Sequence, residues 1–158
     1  PDLPTRFIHW KASAHQDRLL AKVTEPSASL QILIAIDAAS FFRPEPREDL
    51  FEKALSTAAT LGVWADGAKI PFGLLANISG KERPGAISIP INRDLDQAKL
   101  ALEALARAEL AVLEDLEQLL KAEAYYLPWG TTLVVIGPDQ NRGLVVPNAI
   151  RQTIFYPV

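Results

Sequence analysis

The chain has 158 residues, about half of them apolar and 22% charged, with a formal net charge of -3 at pH 7. That is one domain's worth of chain with enough apolar surface for a core, and it excludes global disorder. The small negative charge excludes binding to a phosphate backbone or an anionic membrane through bulk charge, and the absence of cysteine removes disulfides, thiolate metal sites and cysteine nucleophiles.

In chain order, residues 1–17 read as irregular or briefly helical. Arg18 to Glu25 alternates, with Leu19, Ala21 and Val23 on one side and Lys22 and Thr24 on the other, which predicts a half-exposed strand closed by Pro26. Leu30 to Ile36 is a nearly continuous β-branched run and predicts a strand buried on both faces, the centre of a parallel sheet. A helix is expected over about Arg47 to Asp66, with Pro46, Glu48 and Asp49 at its start and Gly67 as its stop. Ile70 to Ala76 predicts a second buried strand, and Ala86 to Pro90 a shorter one. Asp94 with Gln97 has capping-box spacing, opening a helix with Leu95, Ala98, Leu102 and Leu105 on one face. A further helix is expected over about Val112 to Tyr125, with Val112, Leu116, Leu119 and Leu120 inward. Thr132 to Ile136 predicts the third buried strand, and Leu144 to Val146 and Thr153 to Tyr156 two short ones. Strands alternating with helices predict an α/β fold in three layers, a mostly parallel sheet flanked by helices. The domain is expected to divide into a motif segment and strand, 1–27, and an α/β core, 28–158. With no Met anywhere and a Pro-rich start, the chain reads as cut from something longer.

Ligands of open α/β sheets bind just beyond the carboxyl ends of the strands, which draws attention to Asp37-Ala-Ala-Ser-Phe41. The stretch from 37 to 46 has no glycine to bring backbone N–H groups to a phosphate, so dinucleotide and P-loop sites are excluded. A carboxylate followed by two hydroxyls at alternate positions can ligate a hard divalent cation such as Mg²⁺. Here Asp37 is present, Ala39 and Phe41 stand at the hydroxyl positions, and Ser40 is one residue out of phase. Asp37, Ser40 and Asp139 therefore make at most a degenerate metal site, expected to be unoccupied, with Asn92 and Asp94 in loops that could converge on the same edge. The plainer reading gives Asp37 hydrogen bonds to its own loop.

Arg6-Phe-Ile-His-Trp-Lys-Ala-Ser-Ala-His15 gathers two histidines, a lysine, a serine and an aromatic. No strand-to-helix elbow places Ser13 as a nucleophile, so the plainer reading packs Ile8 and Trp10 inward and leaves Arg6, His9 and Lys11 at the surface. Trp64 and Trp129 read as core or core-edge residues. Tyr125-Tyr126 near Trp129 reads as ordinary packing, with an exposed partner patch as the alternative.

Arg6-x-Ile8-His9-Trp10-Lys11-Ala12-Ser13-Ala14, then Leu20-Ala-Lys22-x-x-Glu25, then a buried strand ending in Asp37, resembles the bacterial family called domain of unknown function 58. The resemblance implies a von Willebrand factor A-like core on a protein anchored in the bacterial membrane by N-terminal helices outside this sequence. It implies a soluble domain on the cytoplasmic face, acting as a substrate adaptor beside a MoxR-type AAA+ ATPase. Its partner-binding candidates are Arg6, His9, Trp10, Lys11 and Ser13. The tail from Gly137 onward lacks the helix and strand that usually complete such a sheet. Three functions are expected in turn: a non-catalytic protein-binding module without cofactor, a metal-assisted hydrolase using Asp37 with Asp139, and a self-associating structural domain.

Overall fold

The computed structural model describes residues 29–42, 45–80, 83–112, 115–138 and 143–158. The expected strand over 18–25 lies outside them. Six strands form one sheet: β1 (Ile32–Ile36), β2 (Phe72–Gly80), β3 (Arg83–Asn92), β4 (Ala108–Val112), β5 (Thr131–Gly137) and β6 (Ile150–Pro157). Three α-helices among the described residues accompany it: α1 (Glu48–Gly67), α2 (Gln97–Ala106) and α3 (Leu116–Glu123). The strand order is β3-β2-β1-β5-β6, with β4 also paired to β2. Neighbours among β2, β1, β5 and β6 run parallel, while β3 and β4 lie antiparallel to β2. This is the expected mostly parallel α/β sheet.

Alternation along β1 divides the interior in two. Ile32, Ile34 and Ile36 face one side with Phe72, Leu74, Ala76 and Val134, where Phe51, Leu55 and Ala58 of α1 and Ala101 and Leu105 of α2 cover them. Leu33 and Ala35 face the other with Leu75, Leu133 and Val135, under Leu116, Leu119 and Leu120 of α3. Helices on both faces make three layers. β1 is buried on both faces, and burial of apolar area contributes about 25 cal/mol per Å².

Local details depart from the sequence in informative ways. α1 does not end in a left-handed glycine: Gly67 is still helical, and Lys69 takes the positive φ of 57°. The Ala68, Lys69 and Ile70 N–H groups there donate to the carbonyls of Trp64, Asp66 and Ala65. α2 buries Gln97, Ala101 and Leu105; Leu95 is fully exposed and Leu102 exposed, so the expected stripe is turned by about one position. No side-chain cap closes α2 at its N-cap, Asp96, and the Gln97 amide nitrogen donates to Phe72 O (2.7 Å) and Pro90 O (2.9 Å), joining β2 to β3. Val112 belongs to strand β4, not to a helix; α3 begins four residues later, capped by Asp115, whose carboxylate accepts from Glu117 N–H at 3.1 Å.

The tail does supply a strand. β6 pairs with β5 along its length, from Thr131↔Ile150 to Gly137↔Pro157. Leu144 to Val146 is not a strand; Leu144 and Val146 instead pack on the α3 face, and Val145 N–H donates to the Glu117 carboxylate at 3.1 Å.

Candidate functional site

The carboxyl ends of β1 and β5, at Asp37 and Gly137, lie beside Asn77, the first residue of β2 beyond its pairing with β1. Beyond β1 the chain makes a 3-10 turn, Ala38–Phe42. Phe41 drives it: its ring is completely buried and meets Phe51 of α1 edge-on, centroids 5.8 Å apart. A bulky ring is thus placed inward at the turn.

Polar groups fix the turn in place. Asn77, fully buried in β2 just past its pairing with β1, accepts the Ala38 N–H at 2.8 Å through its side-chain oxygen. The Asp37 N–H donates to Ile136 O, and the Ser40 N–H and hydroxyl both donate to Asp37 O. Arg47, ahead of α1, reaches back to Ser40 O at 3.3 Å. Gly137 approaches the turn closely: a Cβ there would sit 3.1 Å from Ser40 Oγ. Asp37 itself is 5% exposed.

The structure thus brings Asp37 and Ser40 together, though through the Asp37 main-chain carbonyl rather than as two side-chain ligands. Asp139, Arg6, His9, Trp10, Lys11 and Ser13 lie outside the described residues. Asn92 and Asp94 do not converge on this edge. Because β3 runs antiparallel to β2, Asn92 pairs with Phe72 at the opposite edge, where its amide donates to Asp94. Among the described residues no three His, Asp or Glu side chains gather as metal ligands would, and no helix is long and apolar enough to cross a membrane.

A second surface lies at the opposite, amino edge of the sheet. Tyr125, Tyr126 and Trp129 are 90%, 73% and 77% exposed, which corrects the expectation that they pack inward. The two tyrosines meet edge-on at 5.4 Å. Their loop is held from beneath: Gln31 donates to Trp129 O at 2.9 Å, Thr131 Oγ1 to Pro128 O at 2.7 Å, and Gly130 N–H to Ala149 O at 2.9 Å. Gly130 adopts a φ of 84°, a turn that a side chain would strain. The sequence signal was present: α3 completes its apolar stripe at Leu120, so the aromatics fall outside it.

Trp64 is likewise surface rather than core, 52% exposed on α1. It borders an open groove of about 500 Å³ between α1 and the β5–β6 end of the sheet, lined by Thr57, Thr60, Trp64, Val134, Ile136 and Tyr156. Thr60 turns its hydroxyl away to the Ser56 carbonyl at 2.8 Å.

No family model matches the chain, and no curated protein matches it. Among solved structures the chain is similar to the SpRpn10 VWA domain, at 15% sequence identity and a TM-score of 0.30, over 81% of this chain and 88% of that one. At that score the likeness bears on neither site nor activity.

Proposed function

We propose that the chain is a protein-binding module, with no catalytic chemistry of its own. On this reading it is an adaptor of the domain of unknown function 58 type, carried by a membrane-anchored bacterial protein on the cytoplasmic face and working with a MoxR-type AAA+ ATPase. The observation that carries the reading is the Tyr125–Tyr126–Trp129 cluster: large amphipathic rings facing solvent on a backbone that is already hydrogen-bonded in place. Tyrosine and tryptophan are enriched where protein interfaces concentrate their binding energy, and a pre-ordered loop loses little entropy on docking. The mostly parallel sheet with helices on both faces agrees with the von Willebrand factor A-like core that the His9-Trp10-Lys11 resemblance implies.

The test is calorimetric titration of the chain with a purified MoxR-type ATPase from the same source. Saturable binding is expected, weakened about tenfold or more by Trp129→Ala or Tyr125→Ala with no change in the thermal unfolding midpoint. Failure to bind, or binding indifferent to both substitutions, overturns the reading.

A further inference from the structure

β4 stands where a ligand of an open α/β sheet enters. Gly80 of β2 pairs with Arg83 of β3 and also with Ala108 of β4. A strand has two sides, so β4 takes the side that β1 occupies farther back, where Ile36 pairs with Ala76. Val112 pairs with Ile78, two residues past Ala76. β4 therefore lies in line with β1, about 7 Å beyond its last pair. It also touches the Ala38–Phe42 turn. The crevice outside the carboxyl end of β1, the usual binding place in such sheets, is filled by the chain itself.

Little in the sequence commits these residues to a strand. From Ile91 to Leu127 the chain contains neither glycine nor proline. Alanine, glutamate and leucine fill the first four positions of β4; all three favour helices, and alanine and glutamate are depleted in strands. α2 meets no stop signal either. Arg107 at its C-cap has a φ of -101°, not a left-handed one, and β4 starts at the next position. Ala101, Leu105, Ala108 and Val112 recur at i, i+4, i+7 and i+11, so the apolar spacing of α2 runs on through β4. Glu103 and Arg107 stand four apart, in the order that supports a helix. Against this, β4 is held to β2 by two registered pairs with an irregularity between them.

We infer that β4 is a removable cover, which leaves β2 by winding onto α2 as further helix and so opens the carboxyl end of β1 at Asp37, Ser40 and Asn77. Direction favours this. α2 starts beside Phe72, to which Gln97 is bonded, and ends where Ala108 meets Gly80, so it points toward the carboxyl edge. Its extension carries 108–112 past the sheet and away from β1. Bonds given up to β2 are replaced by bonds to the carbonyls four residues back. A segment with two such packings is bistable, and a ligand that fits only the open form shifts the balance toward it. The cover acts at the edge opposite the Tyr125–Tyr126–Trp129 cluster, so it stands or falls apart from that cluster's role.

The test is chemical-exchange saturation transfer on the ¹³C,¹⁵N-labelled chain, without ligand. The expected result is a minor state, populated to about 1–10%, shared at one exchange rate by 108–112, 78–80 and 38–42. Its Cα shifts at 108–112 are helical, and the amides of 132–135 in β5 take no part. Ala111 is exposed, so its variants test the balance without disturbing a core. Ala111→Val, which disfavours helix and favours strand, lowers the minor population about fivefold. Ala111→Lys, a helix former depleted in strands, does not lower it. Absence of a minor state at 108–112, or one without helical shifts, overturns the inference. So does exchange that leaves 38–42 unmoved, exchange that spreads through β5 as global unfolding, or a population indifferent to Ala111→Val.

Discussion

The side-chain oxygen of Asn77 accepts the Ala38 N–H at 2.8 Å, so β2 holds the turn that follows β1. Both groups are buried, and a buried amide left without its acceptor costs about 1–3 kcal/mol. Asn77→Ala is therefore expected to lower stability by about 2 kcal/mol in urea unfolding, and to broaden the amide resonances of residues 38–42 relative to the rest of the core. A change confined to stability, with the turn's resonances unmoved, would show that Asn77 acts by packing alone.

Gln97 bridges the first residue of β2 to Pro90 of β3, donating to two carbonyls from a buried position. Gln97→Glu keeps the shape and replaces the donor with a carboxylate facing two carbonyl oxygens. Protonation restores a donor, so the folded state raises the pKa of this glutamate above its unfolded value of about 4.3. Stability of the variant is then greatest below that value and falls as pH rises through the folded pKa. Urea midpoints of the variant and parent between pH 4 and pH 8, about the range where a raised carboxyl titrates, check the sign.

Two glycines have opposite expectations. A Cβ on Gly73 would stand 2.6 Å from Ile89 O and 2.9 Å from Ile91 N, both main-chain atoms at an irregularity of the β2–β3 pairing. Gly73→Ala should cost about 1–3 kcal/mol or more through overpacking. Gly67 meets nothing within 4 Å and is helical, so Gly67→Ala should stabilise by about 1 kcal/mol. Lys69→Gly should add a similar gain of about 1 kcal/mol by relieving its left-handed backbone. Thermal unfolding of the three single variants separates these signs.

At the carboxyl edge, Ser40 gives its hydroxyl proton to the Asp37 carbonyl, and Phe41 is wholly buried where a second hydroxyl ligand would stand. Calorimetric titration with Mg²⁺, Mn²⁺ and Ca²⁺ is expected to give no saturable heat, in the parent as in Asp37→Ala. Micromolar binding abolished by Asp37→Ala would mean that other loops supply the missing oxygens, as hard-cation sites require several.

What could be read in advance follows from how much of a residue's fate is local. β1 and β5 were legible because a run such as Ile32 to Ile36 admits few alternatives once it must be buried on both faces. α1 was legible from its acidic first turn and inward stripe. β4 was not: Ala108-Glu-Leu-Ala-Val112 has helical composition, and only its pairing with β2, Ile78↔Val112 and Gly80↔Ala108, makes it a strand. The placement of Asn92 and Asp94 failed for a related reason, since the direction of β3 is set by a hairpin and not by any residue in the loop beyond it. Asp37 was legible as a strand-end residue because the rule for open α/β sheets is topological. Trp64, Tyr125, Tyr126 and Trp129 were misread because residue type alone does not say which aromatic is outside.

The pairing of β1 sets the timetable on which the chain can fold. Ile32 finds one partner in Phe72, but its other, Thr132, is one hundred residues downstream. At ribosomal rates of about 5–20 residues per second, that is about 5–20 s during which one flank of an uncharged Ile-Leu-Ile-Ala-Ile strand waits for β5. A half-paired strand of this composition is prone to join another nascent chain instead. The arrangement that makes β1 the best-buried element of the finished domain also makes it the most exposed to error during synthesis.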